Sequence, residues 1–155
     1  ANSFMVSADN AHAVHPNHPE YADFSCAPVL GRGVALKRSP RYSSVAETCA
    51  VIEGLCRENG IPMQTYMNRA DLPGGGTVGS MASALLAMPA ADVGVPILAM
   101  HSACETMGAA DQDAEAGRNL DGLLGIGNQN FIGHRISPLL SGLVVFRDVQ
   151  PYRMP

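Results

Sequence analysis

Asp92-Val93-Gly94-Val95-Pro96-Ile97-Leu98-Ala99-Met100-His101-Ser102 is an apolar run that ends on a histidine. Its segment Val93 to Leu98 predicts a buried strand, which leaves His101 where strand gives way to loop. A second handover of this kind lies near the start of the chain. Ser3 to Ser7, with Phe4, Met5 and Val6, reads as a short buried strand, and Asp9 follows it. In an open α/β sheet, ligands bind at such strand ends. A carboxylate oxygen and a neutral imidazole nitrogen are both good donors to a divalent cation such as zinc, but two donors are fewer than the three or four protein ligands a zinc site takes.

Between these two points the pattern alternates. Pro16, Pro19 and Pro28 enforce a loop from Val14 to about Arg32. Val34 to Lys37 is a short strand. Ser44 to Asn59 predicts a helix, with Val45, Thr48, Cys49, Ile52, Leu55 and Cys56 at helical spacing, Gly60 as its stop and Pro62 behind it. Met63 to Met67 reads as a strand and Thr77 to Met88 as a helix. This order predicts the α/β class, a mixed sheet with covering helices. No internal repeat is visible.

Composition narrows the classes. A length of 155 residues suits one domain, and at that size folding buries about 70% of the unfolded chain's surface. With 46% hydrophobic and 15% charged residues the chain is poor in charge, and its 16 Gly and 11 Pro make it loop-rich. The net charge of −4, without a basic run, gives no electrostatic footprint for a nucleic-acid partner. No stretch reaches the roughly 20 apolar residues of a membrane span, and the first residues lack the basic and apolar regions of a signal peptide. Cys26, Cys49, Cys56 and Cys104 form no C-x-x-C pair. Cys49 and Cys56 stand two helical turns apart, roughly 10 Å by helical rise, which is too far for a bridge. Reduced thiols and a cytoplasmic setting are the expectation.

Four segments, in order, carry a resemblance. They are Ser7 to Glu20, which reads Ser7-Ala8-Asp9-Asn10-Ala11-His12-Ala13-Val14-His15-Pro16 and onward; the Arg41-Tyr42 pair; Asn68 to Ser80; and Asp92 to Ser102. Over roughly Ser3 to Met107 the chain resembles the C-terminal part of the aspartyl aminopeptidase family, exopeptidases with two metal ions. The resemblance implies a partial phosphorylase/hydrolase-like metallopeptidase catalytic domain over residues 1–108, with a divergent tail over 109–155. It further implies that Asp9 is a terminal ligand of one zinc ion and His101 a ligand of the other. In such a site the metals polarise the scissile carbonyl and make hydroxide available near neutral pH. By the same resemblance His12 is a donor to the tetrahedral oxyanion, and Lys37 and Tyr42 match substrate-pocket positions. A lysine there would attract an acidic N-terminal side chain of a peptide substrate. Gly74, Gly75 and Thr77 belong to a loop that shapes the pocket, with Gly76 where the family has Ser. The implied assembly is a homo-oligomer.

Two departures accompany the likeness. The spacing from Lys37 to Tyr42 is shorter than the family's. The family also places a histidine ligand, a bridging aspartate and paired glutamates, one of them the general base, upstream of the Asp9 segment. Eight residues precede Asp9 here, and none is His, Asp or Glu. The expectation is therefore a C-terminal portion, or the product of a truncated gene, that is inactive alone. Beyond Met107, Asp111 to Gly127 is rich in Gly, Asp and Asn, and Ser137 to Phe146 is an apolar run without a clear partner.

Other readings compete. Taken alone, Asp9 is more often a helix or turn cap and His101 more often a hydrogen-bonded core histidine; His12, His15 and His18 are loop histidines that Pro16 and Pro19 keep off any one helix face. Gly74-Gly75-Gly76-Thr77-Val78-Gly79 satisfies G-x-G-x-x-G, which reads as a dinucleotide cradle with Asp92 on the ribose. Against this stands the polar strand before it, with Gln64, Asn68 and Arg69. A third reading, supported by low charge and eight methionines, is an assembly segment without catalysis.

Overall fold

The computed structural model describes residues 3–72, 74–111, 132–133 and 142–147. Strands β1 (Ser3–Ala8), β3 (Val34–Lys37), β4 (Met63–Tyr66), β5 (Ala90–Gly94), β8 (Ile132–Gly133) and β9 (Gly142–Arg147) build a sheet in the order β4-β3-β5-β1-β9-β8. Parallel pairs (β1 with β5, β3 with β4) and antiparallel pairs (β3 with β5, β1 with β9, β8 with β9) make it mixed. A smaller sheet joins β2 (Ala11–His12), β6 (Pro96–Leu98) and β7 (Thr106–Met107). The helices are α1 (Ala46–Glu58) and α2 (Val78–Leu86). The expected α/β class is what forms.

Side chains alternate across a strand, so each strand serves both faces of the sheet. Val6, Val34, Leu36, Ala91 and Val93 face one side, where Cys49, Ile52 and Cys56 of α1 close over them. Burying Leu36, Ile52 or Val93 contributes roughly 1.5–3 kcal/mol apiece, so this dry face carries most of the stability. The opposite face receives Ser7, Ala35, Lys37 and Asp92, all buried. Polar groups there need partners, and that is the face on which α2 and a cleft lie.

Local signals explain the element ends. At the start of α1, the Thr48 hydroxyl accepts a hydrogen bond from the Val45 N–H at 2.9 Å, satisfying a donor the helix cannot. The helix stops at Gly60, whose φ of +64° lies in the left-handed region that glycine enters freely. The expected single strand from Val93 to Leu98 is instead two. β5 ends at Gly94 and β6 starts at Pro96 in the other sheet. Pro96 has no N–H to continue the first ladder, and Ala11 and Ala13 take up the carbonyls of Val95 and Ile97. The expected loop after Val14 holds one short 3-10 turn, Pro19–Tyr21.

Two features lie beyond residue 108. The buried Asp111 accepts hydrogen bonds from the N–H groups of Gly31 and Gly33, both at 2.6 Å, and pins the turn that enters β3. Residues 142–147 form β9 and pair with β1 from Ser3 to Ala8, so part of the apolar run read as unpartnered has a partner. Its residues 137–141, and 112–127 of the Gly-rich stretch, lie outside the described residues, as does Pro73.

Asp92 organises the polar face. It is fully buried, and a buried carboxylate is tolerated only when hydrogen-bonded. Its Oδ2 accepts from both the N–H and the hydroxyl of Ser43, each at 2.6 Å, and its Oδ1 accepts from the Thr77 hydroxyl at 2.6 Å. Its own N–H donates to the Ser44 hydroxyl at 2.8 Å. One side chain thus ties β5 to the loop before α1 and to the N-terminus of α2. Replacing it by alanine strands these donors, at a cost of roughly 2–4 kcal/mol. Asp92→Ala is expected to lower the thermal midpoint by roughly 5–15 °C. A calorimetric midpoint within about a degree of the parent would contradict this role.

Candidate functional site

A cleft of about 710 Å³ opens on the polar face, and Asp9, His12, Lys37, Tyr42, Gly74, Gly75, Thr77 and His101 all line it. These residues come from five separate stretches of chain. Asp9 follows β1, beside the place where Gly94 of β5 passes; a Cβ on Gly94 would stand 1.7 Å from the Asp9 carbonyl oxygen. Only glycine lets the two backbones approach in this way. The Asp9 Oδ1 accepts the N–H of the adjacent Asn10 at 2.9 Å, while Oδ2 faces Lys37 Nζ at 3.6 Å.

Lys37 is 2% exposed. As the last residue of β3 it falls on the cleft side by alternation, and its ammonium lies 5.5 Å from the Tyr42 ring centroid. The Tyr42 and Tyr66 rings stand 6.2 Å apart and tilted. The Tyr66 phenol donates to Asn68 Oδ1, and Asn68 in turn fills the space a Cβ on Gly74 would need, 1.8 Å from its Nδ2. Burial is the main cause that pushes the Tyr66 phenol far above its ordinary value, and it raises Tyr42 as well. Both phenols therefore stay protonated as neutral donors. Gly79 is equally confined, since a Cβ there would meet Asp92 Oδ1 at 2.5 Å and the Ser7 side chain at 2.6 Å.

His12 sits on β2, held beside β6 by the parallel pairing of His12 with Ile97. The imidazole is exposed to the cleft, yet the surrounding protein, then the nearby His101, then Lys37, hold its pKa below 6.5. His101 follows β6 in a turn where Ala99 and His101 have φ of +56° and +69°. Two non-glycine residues in the left-handed region within three positions are strained, and such strain clusters at functional sites. The turn is held by the Ser102 N–H on the Ala99 carbonyl and by the His101 N–H on Glu105 Oε1 at 2.5 Å. His101 is exposed, which removes its reading as a core histidine.

One further expectation is corrected. The dinucleotide reading of Gly74 to Gly79 needs Asp92 at a ribose, but that carboxylate is sealed in the interior by Ser43 and Thr77. Lys37, which lines the cleft, also pairs with Asp9 at 3.6 Å. His15 and His18 are exposed and also line the cleft, with their rings tilted and 5.6 Å apart and the Tyr21 ring 5.6 Å beyond His18. Zinc needs three or four protein ligands, and among the described residues no three His, Cys, Asp or Glu side chains converge. Asp9 and His101 are therefore an incomplete donor set.

Sequence reading missed Tyr66, Asn68 and Glu105. Asn68 carried no local signal, since its contact with Gly74, six residues on, depends on the folded loop. Glu105 carried none, because its contact depends on the strained turn.

Comparison with known proteins follows the same lines. Residues 1–117 match the family described as aminopeptidase I zinc metalloprotease (M18). A probable M18 family aminopeptidase 2 of Clostridium acetobutylicum is 44% identical over 112 residues, covering 71% of this chain and 26% of that protein. The chain thus spans about a quarter of the length of the curated relatives it matches. The crystal structure of prApe1 superposes with a TM-score of 0.69 at 31% identity, covering 72% of this chain and 24% of that one. The S. cerevisiae mApe1 dodecamer superposes at 0.59 with 28% identity, covering 70% and 24%.

The His12 shift has a pH signature. A histidine whose folded pKa lies below its unfolded value lets the unfolded chain bind more protons. Its contribution to stability is whole above about pH 6.5 and is lost as pH falls toward the folded midpoint. An NMR titration of His12 is expected to give a midpoint below 6.5, raised by His101→Ala. A midpoint at or above 6.5 would contradict the electrostatic picture of the cleft.

Proposed function

The chain belongs to the aminopeptidase I zinc metalloprotease (M18) family, and on that premise we propose that its cleft is one wall of a two-zinc site that removes N-terminal residues from peptides. The observation that carries this reading is that Asp9, His12 and His101 line a single cleft. Asp9 is a terminal ligand of one ion and His101 of the other. His12, kept neutral by its surroundings, has an N–H to offer a developing oxyanion. Tyr42, Gly74, Gly75 and Thr77 shape the pocket for the substrate's first residue. A preference for acidic residues rests on the family likeness alone, because Lys37 is paired with Asp9.

Two donors do not hold a catalytic zinc, and no described residue takes the part of general base. The remaining donors come from outside the described residues. The exposed Val78, Met81 and Leu85 on one side of α2 support an oligomer of M18 polypeptides, as does the dodecamer of mApe1. We further infer a cytoplasmic setting, which four free thiols support. Among the described residues no helix is long and apolar enough to cross a membrane.

The purified 155-residue chain is expected to show no chelator-sensitive release of N-terminal residues from peptides; sustained release would refute the incomplete-site reading. In a polypeptide that joins this chain to the rest of an M18 catalytic domain, Asp9→Ala or His101→Ala should each lower kcat/KM by at least about a hundredfold. Retention of parental rates by either variant contradicts the ligand assignment.

A further inference from the structure

His15-Pro16-Asn17-His18-Pro19-Glu20-Tyr21 repeats a three-residue pattern, a ring followed by proline and a polar residue, and ends on a third ring. Proline's fixed φ suits the second position of a turn, and two such turns follow one another here. The His18 N–H donates to the His15 carbonyl at 3.1 Å, and the Tyr21 N–H to the His18 carbonyl at 3.3 Å. At three residues per turn, side chains three apart stand above one another. The prolines that keep these histidines off an α-helix therefore bring them into a row. The His15 and His18 centroids are 5.6 Å apart with a tilt of 37°, and those of His18 and Tyr21 are 5.6 Å apart with a tilt of 36°.

All three rings are exposed, and all three line the cleft. The turn Pro19–Tyr21 buries no residue, so the row adds nothing to the core. It is nonetheless held in place. The Asn17 N–H donates to His15 Nδ1 at 3.2 Å, and His18 Nδ1 donates to the Glu20 carboxylate at 3.0 Å. Arg69 braces the loop from a distant stretch of chain: its guanidinium donates to the Glu20 carbonyl and pairs with Asp71 at 2.7 Å. Ordered rings that cover no core are contact area made ready for a ligand, since little side-chain freedom is left to lose on binding.

We propose that the row of His15, His18 and Tyr21 is a subsite for the peptide side chains that follow the first residue, selective for aromatic ones. This rests on the reading of the cleft as a peptide site, and it needs no metal. The row starts three residues after His12 and is separate from Tyr42, Gly74, Gly75 and Thr77, the proposed pocket of the first residue. Alternate side chains of an extended peptide project on one face about every 6.6 Å, so a peptide running along the row sets a side chain against a ring. Aromatic pairs are favourable at centroid separations of about 4.5–7 Å in tilted or offset arrangements, which an exposed row of this spacing accommodates.

The experiment uses the whole metal-free chain and three tetrapeptide amides with free N-terminal amines. One has tryptophan at its second and third positions and alanine elsewhere, one has tryptophan only at its first, and one is all alanine. The chain has no tryptophan, so peptide fluorescence reports binding of the first two without background, and NMR of the labelled chain reports all three. The first peptide is expected to bind at least threefold more tightly than the all-alanine one and to shift signals of His15, His18 and Tyr21. Tyr21→Ala and His18→Ala should each weaken it about threefold to tenfold, the factor one aromatic pair supplies, with unchanged thermal midpoints. Tyr21→Phe should retain its affinity, because the ring and not the hydroxyl makes the contact. Phe24→Ala is the control, since Phe24 is exposed in the same loop and does not line the cleft; it should change nothing. Equal affinity for the first and the all-alanine peptides overturns the subsite and leaves the cleft a peptide site. A loss with Phe24→Ala as large as with Tyr21→Ala overturns it as an unspecific apolar contact. An equal loss for the peptide with tryptophan at its first position overturns it by moving the row to the first residue. If no peptide shifts any cleft signal at the highest concentration, the subsite and the peptide reading of this chain fail together.

Discussion

A single buried carboxylate holds the working face of this protein in register. Asp92 has no contact with solvent, and its oxygens are filled by Ser43 from the loop before α1 and by Thr77 from the turn before α2. Ser43 is next to Tyr42, and Thr77 closes the glycine turn, so two walls of the cleft are tied to one residue of β5. The constraint reaches further through Gly79. That glycine leaves room for Asp92 and Ser7, and α2 can come down on the sheet only because no side chain stands between them. An alanine there would gain helix propensity of about 1 kcal/mol and lose more to overpacking.

The division of labour between the two faces follows from strand alternation. The α1 face is apolar and supplies cohesion. The opposite face is polar and would cost stability were each group not answered: Asp92 by hydroxyls, Lys37 by Asp9, Tyr66 by Asn68. The strained turn at Ala99 and His101 adds a local cost. A protein spends stability in this way where groups must point at something other than the core, and here they point into one cleft.

Much of this was legible in the residues. β1, β3, α1, β4 and α2 follow from apolar periodicity and from Gly60, because packing against one face is a local pattern. Asp9 and His101 were legible as strand-end residues, although their shared cleft depends on β1 and β5 lying side by side. Other features were hidden for physical reasons. The break at Val95 moves the chain between two sheets, and an apolar run looks alike on either side of it. Asp92 carries the same letter whether it grips a ribose or seals an interior, and only Ser43 and Thr77, far apart in sequence, decide. The pairing of Lys37 was hidden because the sequence does not say that Asp9 arrives beside it from the end of β1. The pairing of residues 142–147 with β1 had no local signal, since antiparallel register across so long a separation is set by the assembled sheet.

The central claim is the proposed one, that Asp9 and His101 stand at metal-ligand positions along one cleft that His12 also lines. Manganese added to the isotopically labelled chain tests it most directly, since paramagnetic broadening reports even weak occupancy by position. The account predicts that low manganese selectively bleaches the amide and ring signals of Asp9, Asn10, His12, His101 and Ser102 while signals of α1 persist. Uniform broadening, or broadening centred on the exposed His15 and His18 rings with those positions untouched, would contradict it.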